Sequence, residues 1–216
     1  MSRRDAADYT LDLVTDAGLS RGRPSAQIVQ AALRGGVTIV QYREKAGTTR
    51  AMIEEAREIR RLCADAGVPF IVNDRLDVAL AVDADGVHVG QDDLPAAIAR
   101  RLIGPGRIVG VSAGSPEEAL RAQAEGADYV GASPIFATPT KPDAPPAMGI
   151  EGLRRLASAV RIPVVAIGGV NAENAAAIVG AGAAGAAVVS AIVAAEDVEA
   201  AARAIRLAIR SATREK

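Results

Sequence analysis

The sequence predicts an α/β fold, and within that class a single (β/α)8 barrel built from residues 1–216, on three observations. Short apolar runs recur eight times, each followed by a stretch with helical spacing. These runs are near-continuous in Val, Ile, Leu and Ala rather than alternating with polar residues, as strands covered on both faces are. The glycine fingerprint of a doubly wound dinucleotide-binding sheet, the competing architecture, does not follow the first strand. Thr15, Asp16, Ala17 and Gly18 stand there instead, and no Walker pattern occurs anywhere in the chain.

Taken in order, residues 10–14 form the first strand, stopped by Asp16 and Gly18. Residues 24–34 follow as a helix, closed by Gly35 and Gly36, the usual terminator chemistry. Residues 37–41 are the second strand, with a helix over 48–66 that Gly67 ends. The third strand, 69–73, leads through Asn73 and Asp74 into a short helix reaching Val82. The fourth, 86–89, is too short for a helix and is bounded by turn residues. It delivers Asp92 and Asp93 to the start of a helical run over 94–102. Residues 107–111 and 116–126 make the fifth pair, and 128–131 the sixth strand. A proline-rich loop over 133–148 precedes a helix over 150–159. Residues 163–167, stopped by Gly168 and Gly169, and 172–180 make the seventh pair. The eighth is 184–189, with a last helix over about 194–212. Residues 1–8 and 213–216 are expected to be frayed termini.

Composition narrows the function. Half the residues are apolar but only 2% are aromatic, so the core is built of small aliphatic side chains. The net charge of −1, from 25 basic and 26 acidic residues well mixed along the chain, carries no footprint for nucleic acid. One cysteine, Cys63, excludes an internal disulfide framework and reads as a small buried side chain. Ser2, Arg3 and Arg4 precede no apolar segment of the length a twin-arginine export signal needs. Residues 174–195 are uncharged, but they are rich in Ala and Gly and include Asn174 and Ser190. They read as helix, turn and strand rather than a membrane span. The expectation is a cytoplasmic chain with no membrane or nucleic-acid partner and a homo-oligomer left open.

Barrel active sites lie where the C-terminal ends of the strands meet the following loops. After the second strand come Gln41, Tyr42, Arg43, Glu44 and Lys45; with side chains alternating, Gln41, Arg43 and Lys45 share one side. Alone, such a cluster is an ordinary solvated loop. It faces two strand-end carboxylates, Asp74 and Asp93, each of which on its own would be read as a helix cap. Together they make a site for Mg²⁺, a hard cation held by one or two carboxylates and phosphate oxygens, with Arg43 and Lys45 balancing a diphosphate. Lys141 adds a third cation in a loop long enough to act as a lid. Gly168, Gly169, Val189 and Ser190, after strands seven and eight, fall where barrels bind a monophosphate.

Gly110, Ser112 and Gly114 match the nucleophile-elbow pattern between a strand and a helix, which would make Ser112 the nucleophile of a serine hydrolase. The only histidine, His88, lies upstream of Ser112 and breaks the expected order. His88 reads instead as a core residue, and Ser112 as a hydrogen-bond donor to substrate.

The motifs LVTD (13–16), QYREK (41–45), VND (72–74), GVHVGQDD (86–93), VGVS (109–112), the stretch 129–141, IGG (167–169) and VS (189–190) occur in an order that resembles the thiamine-phosphate synthase family. The resemblance spans nearly the whole chain. It implies a (β/α)8 barrel with one Mg²⁺ per subunit. The reaction implied joins 4-amino-2-methyl-5-(diphosphooxymethyl)pyrimidine to a hydroxyethylthiazole phosphate, or its carboxylate, giving thiamine phosphate and diphosphate. Carried over by position, Gln41, Tyr42, Arg43, Glu44, Lys45 and Asn73 bind the pyrimidine diphosphate, joined by Ser112 and Lys141. Arg43, Lys45, Lys141 and Ser112 serve catalysis, and Asp74 and Asp93 hold the metal. Thr138, Pro139, Thr140, Gly169, Val189 and Ser190 hold the thiazole phosphate. Ser133 stands where the resemblance leads one to expect glycine. A thiazole tautomerase on the same scaffold is the nearest alternative; Arg43, Lys45, Asp74, Asp93 and Lys141, present together, weigh against it.

Overall fold

The computed structural model describes residues 7–138 and 146–214. Eight parallel strands close into a barrel in sequence order: β1 (Leu11–Val14), β2 (Ile39–Tyr42), β3 (Phe70–Asn73), β4 (Gly86–Val89), β5 (Ile108–Ala113), β6 (Tyr129–Ala132), β7 (Val164–Ile167) and β8 (Gly185–Val188). Closure comes from β1 pairing with β8, Asp12 lying opposite Ala187. The helices between strands are α1 (Ser25–Gly35), α2 (Thr49–Ala66), α3 (Leu76–Ala81), α4 (Ala96–Ile103), α5 (Pro116–Ala124), α6 (Gly149–Ala159) and α7 (Ala175–Gly180). They are followed by a four-residue α8 (Ser190–Val193) and a long α9 (Val198–Arg214).

Alternation along each strand sorts the core into two clusters. Outward residues such as Leu11, Leu13, Val40, Phe70, Val72 and Val87 pack under the helices. Inward ones, Val14, Ile39, Ile71, Ile108, Tyr129, Val165 and Ala187, fill the barrel. Local signals end the helices as the sequence implies. Thr48 caps α2 by accepting from Ala51 N–H, and Ser115 caps α5 ahead of Pro116. Gly36 and Gly67 close α1 and α2. A backbone donor at or near the start of three alternate strands is held from the neighbouring strand's entrance: Leu11 N–H by Thr38 Oγ1 (2.9 Å), Phe70 N–H by Asp85 Oδ2 (2.8 Å) and Val109 N–H by Asp128 Oδ2 (2.8 Å). Hydrogen bonds of this kind to charged acceptors contribute about 1.5–3 kcal/mol each.

Several element boundaries differ from the sequence reading. The helix expected over 94–102 begins at Ala96, and α8 intervenes before the last helix, which starts at Val198 rather than near 194. The uncharged stretch 174–195 divides into α7, β8 and α8, and no helix among the described residues is long and apolar enough to cross a membrane.

Candidate active site

A cavity of about 200 Å³ opens at the C-terminal ends of the strands. Its rim gathers Arg43, Lys45, Asp74 and Asp93 on one side and Gly169, Val189 and Ser190 on the other; Gln41, Asn73, Ser112 and Thr138 also line it. The alternation expected after β2 holds: Gln41, Arg43 and Lys45 face the cavity. Tyr42 and Glu44 are not brought there. The Tyr42 hydroxyl donates to Glu55 of α2 (2.7 Å), and Glu44 accepts from Ala46 N–H (2.7 Å).

The two rim carboxylates are not helix caps. The cap position of α3 is Arg75 and that of α4 is Pro95. Asp74 instead adopts a left-handed backbone (φ 62°) and donates its N–H to His88 O at 2.7 Å. Aspartate tolerates that conformation better than most residues, and such strain concentrates at functional positions. Asp93 Oδ2 accepts from Gly90 N–H at 2.8 Å, folding the loop back so that the carboxyl sits beside Asp74. Burial first, and the hydrogen-bonding contact with Asp74 second, raise the Asp93 carboxyl above its usual range. Lys45 pairs with Asp74, and Arg43 with Asp16 at 2.7 Å. Among the described residues no three or more His, Cys, Asp or Glu side chains form a metal cage. Two adjacent carboxylates nonetheless suit a hard divalent ion that takes its other ligands from phosphate and water.

Inside the barrel, Tyr129 Oη lies 2.8 Å from His88 Nδ1, and His88 Nε2 lies 2.9 Å from Ser112 Oγ. Burial pushes the imidazole down to about 4, so it is neutral. In the tautomer where the phenol O–H donates to Nδ1, the neutral ring keeps its proton on Nε2 and donates a hydrogen bond to Ser112 Oγ, which leaves the serine O–H to donate into the cavity. A serine hydrolase would need a base poised near neutrality and a carboxylate behind it. This histidine has a phenol behind it, and its low proton affinity suits a scaffold rather than a base.

The opposite rim is shaped by backbone. Gly168 (φ 100°) and Gly169 (φ 68°) occupy left-handed conformations, and a Cβ on Gly169 would fall 2.8 Å from Phe136 Cβ, so only glycine fits. Asn174 Nδ2 donates to Gly169 O at 2.9 Å and holds the turn. After β8 the chain enters α8 at Ser190, so the short extra helix that barrels use beside this site is present. Ser133 lines the cavity and is not among the non-glycine residues with positive φ, so its backbone does not need glycine. Pro139, Thr140 and Lys141 lie outside the described residues.

The cavity also holds residues that reading strand ends did not single out, chiefly Asp12 and Tyr129. For Asp12 a signal existed: it is an acid in mid-strand, two residues from Val14, and the alternation of β1 turns both inward.

The family model described as thiamine monophosphate synthase matches residues 11–192. The thiamine-phosphate synthase of Chloroflexus aurantiacus is 61% identical over 216 residues, covering 100% of this chain and 99% of that protein. That of Moorella thermoacetica is 53% identical over 198 residues, covering 92% and 94%. Among solved structures, the thiamine phosphate pyrophosphorylase of Pyrococcus furiosus superposes with a TM-score of 0.88 at 43% identity, covering 95% of this chain and 98% of that one. Barrel, family model and relatives agree: the chain belongs to the thiamine monophosphate synthase family of enzymes.

Proposed function

We infer that the chain joins 4-amino-2-methyl-5-(diphosphooxymethyl)pyrimidine to a hydroxyethylthiazole phosphate, or its carboxylate, forming thiamine phosphate and releasing diphosphate. The observation that carries this reading is the pairing of Asp74 and Asp93 beside Lys45 and Arg43, across one cavity from Gly169 and Ser190. One rim suits a diphosphate and its counter-ion, the other a monophosphate.

Asp74 and Asp93 would hold one Mg²⁺ per subunit, which when bound supplies positive charge to the departing diphosphate. Arg43, Lys45 and Lys141 add charge to the same group as the pyrimidine methylene carbon gives it up. Asn73 and Gln41 fix the pyrimidine side, and Ser112, its hydroxyl freed by His88, donates to the substrate. The thiazole phosphate is held by Gly169, Val189 and Ser190, with Thr138, Pro139 and Thr140 completing its pocket. This sets the thiazole nitrogen to attack the methylene carbon. No protein nucleophile is needed; groups already in place where charge develops lower the barrier.

The test is direct: combine both substrates with and without Mg²⁺ and measure thiamine phosphate and diphosphate. Equal release with the metal supports the reading. Full turnover after the metal is stripped and chelated would remove the role given to Asp74 and Asp93. The competing hydrolase reading, which the Ser112–His88 contact alone favours, predicts covalent labelling of Ser112 by an organophosphate.

A further inference from the structure

At the floor of the cavity lies an acid with no part in the chemistry above. Asp12, 1% exposed, shares the interior face of β1 with Val14 and lines the cavity near Val165, Ala187 and Tyr129. Its Oδ2 accepts from Gln41 Nε2 at 3.0 Å, while its Oδ1 is buried without a hydrogen-bond partner. Burial pushes the carboxyl up to about 7. A buried acceptor left unmade is costly, and where one lines a binding cavity a ligand can complete it.

The cavity is ordered by depth. Arg43 and Lys45 at the rim favour anionic groups, whereas Asp12 at the floor repels them and calls for an N–H. Between the two, Val14, Val165, Ile167 and Ala187 offer apolar walls that suit a flat ring. A ligand that fits both ends carries phosphate outward and an N–H inward. Of the two substrates named above, only the aminopyrimidine has an N–H on its ring system.

We propose that Asp12 Oδ1 accepts the exocyclic amino group of the pyrimidine and makes this enzyme specific for it, an assignment that rests on the reading of the site given above. Gln41, bonded to Oδ2, fixes the plane of the carboxyl and so the direction of Oδ1. When diphosphate departs, positive charge spreads from the methylene carbon on to the same amino group, so its bond to Asp12 tightens in the transition state.

The experiment compares affinities for the pyrimidine methyl phosphate with and without its 4-amino group, by titration calorimetry in the presence of Mg²⁺ at about pH 8, where the Asp12 carboxyl is ionised and can accept. The wild-type chain should prefer the amino compound by roughly 10- to 100-fold, the scale of one hydrogen bond to a charged group. Asp12→Leu, which keeps the branched shape of the side chain without an acceptor, should bring the ratio to within about threefold of unity. Asp12→Ala provides the same comparison should the leucine variant fail to fold. A structural role for Asp12 would weaken both ligands together and leave the ratio intact, which would overturn the assignment. If the wild type turns over both substrates yet either variant keeps the full preference, only the Asp12 assignment falls. If the wild type forms no thiamine phosphate and binds neither compound, the reading of the whole site falls with it.

Discussion

A Cβ on Gly110 would lie 2.2 Å from Cζ of Tyr129 on the neighbouring strand, so the ring that supports His88 exists inside the barrel only because its neighbour has no side chain. Gly110→Ala should therefore overpack a site that cannot yield, at a cost of about 1–3 kcal/mol or more. For a chain of this size each kcal/mol lowers the melting temperature by about 2–4 °C. Adding Tyr129→Leu should recover part of the loss, and thermal denaturation of the two single variants and the double variant measures it. An unshifted melting temperature in Gly110→Ala would mean the ring has another place to go.

Asp93→Asn separates a metal ligand from a loop clamp. The asparagine oxygen can still accept from Gly90 N–H, so the loop and the melting temperature should change little. Turnover at limiting Mg²⁺ should fall by orders of magnitude. Near-normal rates would reduce Asp93 to the clamp alone.

Stability should depend on pH through Asp12. Its carboxyl is held at about 7 in the folded chain against 3.8 for a free aspartate side chain, by burial above all and despite the bond from Gln41. Between those values the folded state binds a proton that the unfolded state has released, so stability falls as pH rises across that window. The contribution is fully present below about pH 4 and lost above 7. At ~1.4 kcal/mol per pKa unit it amounts to at most about 4 kcal/mol. Asp12→Asn cannot titrate, so its denaturation midpoint should gain on the wild type from pH 4 to 7 and then run parallel. A constant gap would show that Asp12 does not carry this proton.

Lys141 tests the loop over 133–148 as a lid. If its ammonium meets the leaving diphosphate most strongly as charge develops, Lys141→Ala should slow the chemical step by about 10²-fold or more, with a smaller effect on thiazole phosphate affinity. Single-turnover rates with limited proteolysis, with and without both substrates, measure this. An unchanged chemical rate and no ligand-dependent protection would leave the loop a rim.

What the sequence made legible follows from where its signals are strong. The strands announce themselves because buried parallel strands are apolar on both faces and stop at glycine or acid. Asp74 and Asp93 stand out for the same reason, as charges delivered directly by such runs. Their local geometry was not legible: a carboxylate ahead of a helical run looks like a cap, and only the starts of α3 at Leu76 and of α4 at Ala96 remove that role. The short α8 escaped because Ser190–Val193 continues an apolar run with no break between strand and helix. Asp12 escaped because a single acid within a strand reads as an interruption until the phase of β1 fixes which way it faces. The partners of Arg43 and Lys45 also needed the fold, since Asp16 and Asp74 reach them from other strand ends.

The tyrosine at the cavity floor gives this enzyme a built-in optical reporter. The chain has no tryptophan and three tyrosines. Tyr129 is in tilted contact with Tyr9 at 5.0 Å between ring centroids and with His88 at 5.5 Å. With no indole to drain its excitation, tyrosine emission should respond when a heterocycle slides over that floor, so substrate entry can be followed in the unlabelled protein.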